Sequence, residues 1–200
     1  FCLALLILGR SAVKRWEPDM PEELACGLGL VLGLGVLSSV MALLNFSHAV
    51  YPMSAWIIFA VASGSAVAGM AAGPAFRIRL HELGAGLTLF EKLALGTLLM
   101  CLWLGTLMPD LATDALFYHM AYPALYKMNH GFVAIPSFYE AFPQTVEMIN
   151  LFGLLLNDEI SAKTFQFALA VAFVLCVLGI RRRENGGSAP AVLILLAIFA

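Results

Sequence analysis

Charge is what this sequence has least of. Only 12% of its 200 residues are Asp, Glu, Lys or Arg, and the formal net charge is −2. Soluble domains carry about a quarter charged residues. A chain this poor in charge has no basic field to hold a polyanion, which excludes a nucleic-acid binder. Cysteine is also scarce. Cys2, Cys26, Cys101 and Cys176 each lie inside an apolar stretch, and none forms a CxxC pair. That spacing offers neither a disulfide framework nor a zinc site, so the four read as small core hydrophobes. What replaces the missing polar residues is apolar bulk, 62% of the chain, with a mean hydropathy of +0.91. A disordered tail and an ordinary soluble enzyme are both excluded, and a membrane-embedded protein is expected.

The apolar residues come in blocks at 1–9, 25–44, 53–73, 92–108, 145–156 and 161–180, with another from 189. About 20 helical residues cross a bilayer core of about 30 Å. The blocks at 25–44, 53–73 and 161–180 meet that length, and 92–108 is just long enough. The block at 145–156 is too short, and is expected to lie at the interface or pack against the bundle. The chain opens on FCLALLILG without Met and closes on AVLILLAIFA inside an apolar block, so a piece of a longer membrane protein is expected. A secretory signal peptide fits poorly, because the charges follow the first apolar run.

Basic residues alternate between loops. Arg10, Lys14 and Arg15 precede the second block, Arg77, Arg79 and Lys92 separate the third and fourth, and Arg181, Arg182 and Arg183 follow 161–180. The segment 45–52 has no Lys or Arg, and 109–160 has only Lys127. Positive loops face the cytoplasm. The alternation works only if 145–156 does not cross, which makes 109–160 one extracytoplasmic segment. The expected fold is all-α: a polytopic transmembrane helical bundle, one region over 1–200, with a long outer loop carrying short juxtamembrane helices.

Small residues recur within the spans. Gly29 and Gly33 form a GxxxG, and Ser65, Gly69 and Gly73 keep the same spacing. This is either a tight helix–helix seam or the ordinary glycine content of membrane helices. Gly27 and Gly29 do not make a dinucleotide fingerprint, which needs a strand and a βαβ unit. Asn45-Phe46-Ser47 matches a glycosylation sequon too close to the membrane to weigh.

Loops longer than about 15 residues are commonly functional. The stretch 109–144 holds four of the five tyrosines together with Phe117, Phe132, Phe138 and Phe142, enough aromatic area to order a platform on the membrane surface. Thr113 suits a helix N-cap, and Asp114 then falls in the first turn, where the dipole favours an anion. Asp114 and Tyr118 share a face at i,i+4 and His119 and Tyr122 a neighbouring one at i,i+3. Pro123 is expected to kink or end that helix, and Asp110 lies one turn before Asp114. Blander readings stand beside these. Thr113-Asp114 is equally a cap, the tyrosines equally an interfacial belt, and His119 and His130 equally hydrogen-bonded surface residues. Glu147 is equally a solvent-facing residue of an amphipathic helix. Spacing alone shows no metal site and no Ser-His-Asp set.

The stretches DALFYHMAYPALYKMNHG and FYEAFPQTVEMINLFGLLLNDEISAKTFQF resemble the GT-C superfamily of integral-membrane glycosyltransferases, in particular bacterial members similar to the dolichyl-phosphate-mannose protein mannosyltransferases. The resemblance rests on Asp114, Leu116, Tyr118, His119 and Pro123, then on Phe142, Pro143, Gln144, Glu147 and Met148. It covers about 105–170, with the flanking spans matching in topology. It implies the N-terminal part of a GT-C-like fold in a bacterial inner membrane. The implied reaction passes a sugar from a polyprenyl-phosphate donor to an acceptor hydroxyl of a lipid, glycan or protein on the outer face. By position the general base is Asp114, with Asp110 the second candidate. The acidic pair of better-known members is absent, since Ala115 follows Asp114, and no metal or other cofactor is expected.

An inverting transfer needs one base and no covalent intermediate. Tyr118 or Tyr122 would stack on a sugar, while Lys127 and His130 would meet a phosphate. Lys127 snorkelling at the interface is the competing reading. His119 and Glu147 complete the expected substrate-binding set. Two other classes compete: a transporter or flippase, against which the near absence of charge within the spans argues, and a non-catalytic membrane subunit, polymerase or ligase of similar architecture.

Overall fold

The computed structural model describes residues 1–73, 78, 83, 86–108, 119–134 and 144–184. Among these, every regular element is a helix: α1 Cys2–Trp16, α2 Glu22–Phe46, α3 Pro52–Ala72, α4 Leu89–Thr106, α5 Ala121–Met128, α6 Thr145–Leu156 and α7 Glu159–Arg183. Four of them, α2, α3, α4 and α7, are long and apolar enough to cross a membrane. The protein is therefore an all-α chain of integral-membrane type. α6, at 12 residues, falls short of a span.

Local chemistry sets the helix ends. α1 stops at Trp16 because Pro18 restricts Glu17, whose φ of −133° and ψ of 87° are non-helical. Pro52 stands at the first position of α3, where its missing N–H is not needed. α4 opens on a capping box that the sequence reading passed over. Thr88 N–H donates to Glu91 Oε2 at 2.8 Å, and Glu91 N–H donates to Thr88 Oγ1 at 3.3 Å. Asp158 caps α7 by accepting from Ser161 N–H at 3.0 Å. Pro123 does not end a helix: it lies in the first turn of α5, the one place where an α-helix has no use for its N–H.

The chain packs as two compact units. The first comprises Phe1–Gly33, Ala62–Leu102 and the residues from Ala168. Within it α1 lies against the first half of α2 along a glycine seam. A Cβ on Gly29 would stand 2.3 Å from the Arg10 backbone nitrogen, and one on Gly33 would stand 2.9 Å from Leu5 Cβ. The seam reading of Gly29 and Gly33 is the one the geometry supports. It does not extend to Ser65 or Gly73, since Ser65 is exposed and a Cβ on Gly73 would meet nothing within 4 Å.

Ion pairs close this unit at the ends of its helices. Arg10 grips the Glu22 carboxylate with two bonds of 2.6 and 2.9 Å, and the two side chains are 5% and 1% exposed. Lys14 Nζ lies 3.8 Å from the same carboxylate and donates to Met20 O. Three consecutive arginines end α7. Arg181 binds Glu91 at 2.6 Å, Arg182 binds Glu23 at 3.2 Å and Arg183 binds Glu17 at 3.3 Å.

The second unit comprises Leu34–Val61 and Trp103–Phe167. Two helix ends meet in it, each built on a histidine in the left-handed region. α2 ends with His48 at φ 53°, its neighbour Ala49 N–H donating to Leu44 O at 2.9 Å. α5 ends with His130 at φ 55°, and Gly131 N–H donates to Tyr126 O at 3.0 Å. Both are Schellman terminations with histidine where glycine is usual. They clasp each other through Val50 N–H to His130 O at 3.1 Å and Phe132 N–H to Asn45 O at 2.9 Å. Gly131 has no room for a side chain, because a Cβ there would stand 2.4 Å from His48 Nδ1.

Candidate functional site

The site is built by α5, α6 and the first turns of α7, all within the second unit. α6 is apolar nearly all round, and eight of its 12 residues are buried, Glu147 to Gly153 and Leu155. That burial decides between the two readings of 145–156. The helix is packed into protein instead of lying on a lipid surface. Phe152 meets Phe165 edge-on with ring centres 5.6 Å apart, and Ser38 Oγ of α2 donates to Thr145 O at 2.9 Å.

Burying α6 carries two polar side chains inside with it, Glu147 at 5% and Asn150 at 0% exposure. Each must be compensated. Glu147 sits in the first turn of α6, where the helix dipole favours a carboxylate. Its Oε1 lies 2.7 Å from His119 Nδ1. Where the carboxylate is ionised it accepts, and the imidazole then carries its proton on Nδ1. The distance is that of a charge-assisted bond. One turn on, Asn150 Nδ2 donates to His119 O at 2.9 Å and its Oδ1 accepts from Gln166 Nε2 at 3.2 Å. His119 is thus held at ring and backbone by one face of α6, which α7 steadies in turn. About a third of the His119 side chain, 35%, stays accessible.

The other expected residues take different places. Tyr122 and Tyr126 are 5% and 0% exposed, with ring centres 6.5 Å apart, and the Tyr126 hydroxyl donates to Gln144 Oε1 at 2.8 Å. Burial leaves Tyr122 no open face for a sugar. It packs the interior, and the expected stacking role does not fit it. Lys127 Nζ donates to Leu154 O at 2.5 Å, capping the last turn of α6, where a cation is favoured. His130 Nδ1 lies 3.1 Å from Val50 O, and its ring stacks on Tyr51 with centres 4.4 Å apart. Lys127 thus serves a helix end, while His130, engaged at Nδ1, remains exposed. Asp110, Asp114 and Tyr118 lie outside the described residues, as do Thr113, Phe142 and Pro143.

Lys163 is the residue that the sequence reading missed. It is 5% exposed in α7, where Nζ pairs with Glu159 at 3.1 Å and donates to Met108 O, the last described residue before 109–118. A lone lysine in the first turns of an apolar span was its signal. Among the described residues, Asn45 Oδ1 is a buried side-chain oxygen without a hydrogen-bond partner, and no group of three or more His, Cys, Asp or Glu is placed to hold a metal. Comparison of the chain with protein-family models, with curated proteins and with solved structures finds no match.

Proposed function

We propose that this protein is a membrane glycosyltransferase of the GT-C kind, moving a sugar from a polyprenyl-phosphate donor to an acceptor hydroxyl on the extracytoplasmic face. One observation supports the reading most. The two stretches that carry the resemblance, apart in sequence, touch through His119–Glu147 at 2.7 Å, Tyr126–Gln144 at 2.8 Å and Asn150–His119 at 2.9 Å. His119 of the first motif meets Glu147 of the second directly, and Tyr126 and Asn150 add a bond each between the same two stretches. In the proposed reaction Asp114, with Asp110 as second candidate, takes the proton of the acceptor hydroxyl as that oxygen attacks the anomeric carbon. Polyprenyl phosphate leaves, with inversion and no covalent intermediate.

The test incubates purified full-length protein and its Asp114→Asn variant with a panel of polyprenyl-phosphate sugars and follows sugar release. Release by wild type and its loss in a folded variant is the expected result. Full activity in the variant moves the base to Asp110. A transporter or flippase reading draws on the buried Lys163 in α7. Uptake or flipping by vesicles whose protein turns over no donor would favour it. The proposed sidedness has its own test. A membrane-impermeant maleimide should label Asn129→Cys on intact cells, and Glu184→Cys only after permeabilisation.

A further inference from the structure

The first unit carries a feature that the transfer chemistry does not use. Next to the glycine seam, α1 and α2 leave an open groove of about 610 Å³, a volume within the range of small-molecule sites. α1 supplies Ala12, Val13 and Trp16, and α2 supplies Leu28 and Leu32. Met20, from the turn between them, completes the apolar lining, and Glu17 is its polar member. Leu28 and Leu32 stand about 9 and 15 Å beyond Glu22 along α2, a helix of spanning length. The groove therefore runs from the charged helix ends into the hydrocarbon part of the membrane. Trp16 is 93% exposed. An indole at the charged end of a membrane helix lies at headgroup level, with its ring against acyl chains. Lipid is thus the material that covers this face.

The charges around the mouth say which lipid. Glu17 pairs with Arg183 at 3.3 Å, and Arg10 and Lys14 both face Glu22. Arg15 and Asp19 differ from these. Both are exposed, they flank Trp16 and Glu17 in the chain, and neither has an ion-pair partner among the described residues. A free cation and a free carboxylate at one mouth complement a headgroup that carries both signs. We propose that the groove binds one phospholipid with a primary ammonium headgroup, phosphatidylethanolamine. An acyl chain lies along Leu28 and Leu32, and Trp16 packs on its upper carbons. Arg15 donates to the phosphate oxygens, and Asp19 accepts from the ammonium. A choline group has no N–H to give Asp19, and a glycerol headgroup brings no positive charge, so the mouth discriminates against both. The lipid fills the gap beside the seam and ties the α1–α2 hairpin to one leaflet. Nothing in this assignment depends on the glycosyltransferase reading.

The experiment equilibrates purified full-length protein in detergent micelles with equal amounts of phosphatidylethanolamine, phosphatidylcholine and phosphatidylglycerol of identical acyl chains. Native mass spectrometry then identifies the lipid retained. Wild type should hold one phosphatidylethanolamine about ten-fold more tightly than either competitor, equal to about 1.4 kcal/mol. Arg15→Gln should weaken all three lipids, whereas Asp19→Asn should remove only the preference of ethanolamine over choline. Ala12→Phe fills the groove and should expel the lipid whatever its headgroup. All three positions are exposed, so an unchanged thermal midpoint should show that each variant is folded. Equal retention of the three lipids by wild type overturns the proposal, because the groove then holds only bulk lipid. Undiminished retention in a folded Ala12→Phe overturns it as well, because the lipid then sits elsewhere. If wild type retains no lipid, protein covers the groove and the proposal falls. A preference for phosphatidylglycerol overturns the ammonium assignment.

Discussion

Replacing Arg10 with Met tests how the first unit is held. The guanidinium binds Glu22 through Nε at 2.6 Å and Nη2 at 2.9 Å, and the carboxylate is only 1% exposed. Methionine fills similar space and leaves that carboxylate without its two-pronged partner. Removing one member of a buried pair costs about 3–5 kcal/mol, far more than the pair contributes over an apolar replacement. Lys14, 3.8 Å from Glu22 Oε2, offers partial relief, so the lower end of that range is expected. The open fraction should then rise by about two powers of ten. Arg10→Met/Glu22→Gln removes the charge as well as its partner and should recover most of the loss, and a double-mutant cycle measures the coupling. Cys26, one turn beyond Glu22 and 0% exposed, is the reporter. Its labelling by a maleimide in detergent micelles follows opening, with unfolding in sodium dodecyl sulfate as the second measure. A single variant that labels and unfolds within about 0.5 kcal/mol of wild type, the ordinary range for a surface change, would refute the reasoning.

Three further outcomes are expected. Gly29→Leu should collapse the α1–α2 packing, because a Cβ there meets backbone at 2.3 Å, whereas Gly73→Ala, with nothing within 4 Å, should leave the midpoint of denaturation unchanged. Asn150→Ala should cost about 1–3 kcal/mol by removing its bonds to His119 O and Gln166 Nε2, seen in the same denaturation and as broadening of the His119 nitrogen NMR signals. His48→Gly relieves a left-handed residue and should stabilise by up to about 1 kcal/mol. His130→Gly also loses the bond to Val50 O and the stack on Tyr51 and should destabilise, so opposite shifts in thermal midpoint are the result to look for.

The spans were legible because hydropathy is additive along a helix, and every apolar block of crossing length within the described residues became α2, α3, α4 or α7. The short reach of α6 was legible for the same reason. Its surroundings were not: nothing local distinguishes a Glu147 that faces water from one carried inside by apolar neighbours on every side. The phosphate candidates show the opposite weakness. Lys127 and His130 were chosen by chemistry alone, and backbone carbonyls engage both, Leu154 O in the last turn of α6 and Val50 O between α2 and α3, because unpaired carbonyls compete for the same donors. Lys163 went unweighed because it stood inside a span instead of in the outer segment.

The arginines at the end of α7 set a timetable. Glu23, 2% exposed when folded, binds Arg182, which lies 159 residues further along the chain. At ribosomal speeds roughly ten to thirty seconds separate the appearance of the two. Through that interval Glu23 in α2 lacks its arginine, as does Glu17 after α1, and the arginine of Glu91 in α4 follows it by 90 residues. Arg10 and Glu22 are only 12 residues apart and can join at once. Chain order therefore imposes assembly order: the α1–α2 hairpin closes early on its own charges, and α7 docks afterwards, its three arginines reaching three earlier segments of the chain together. A nascent chain halted before Arg181 would hold the α1–α2 hairpin closed by Arg10 and Glu22 but without the three arginines of α7, a species for membrane quality control to detect.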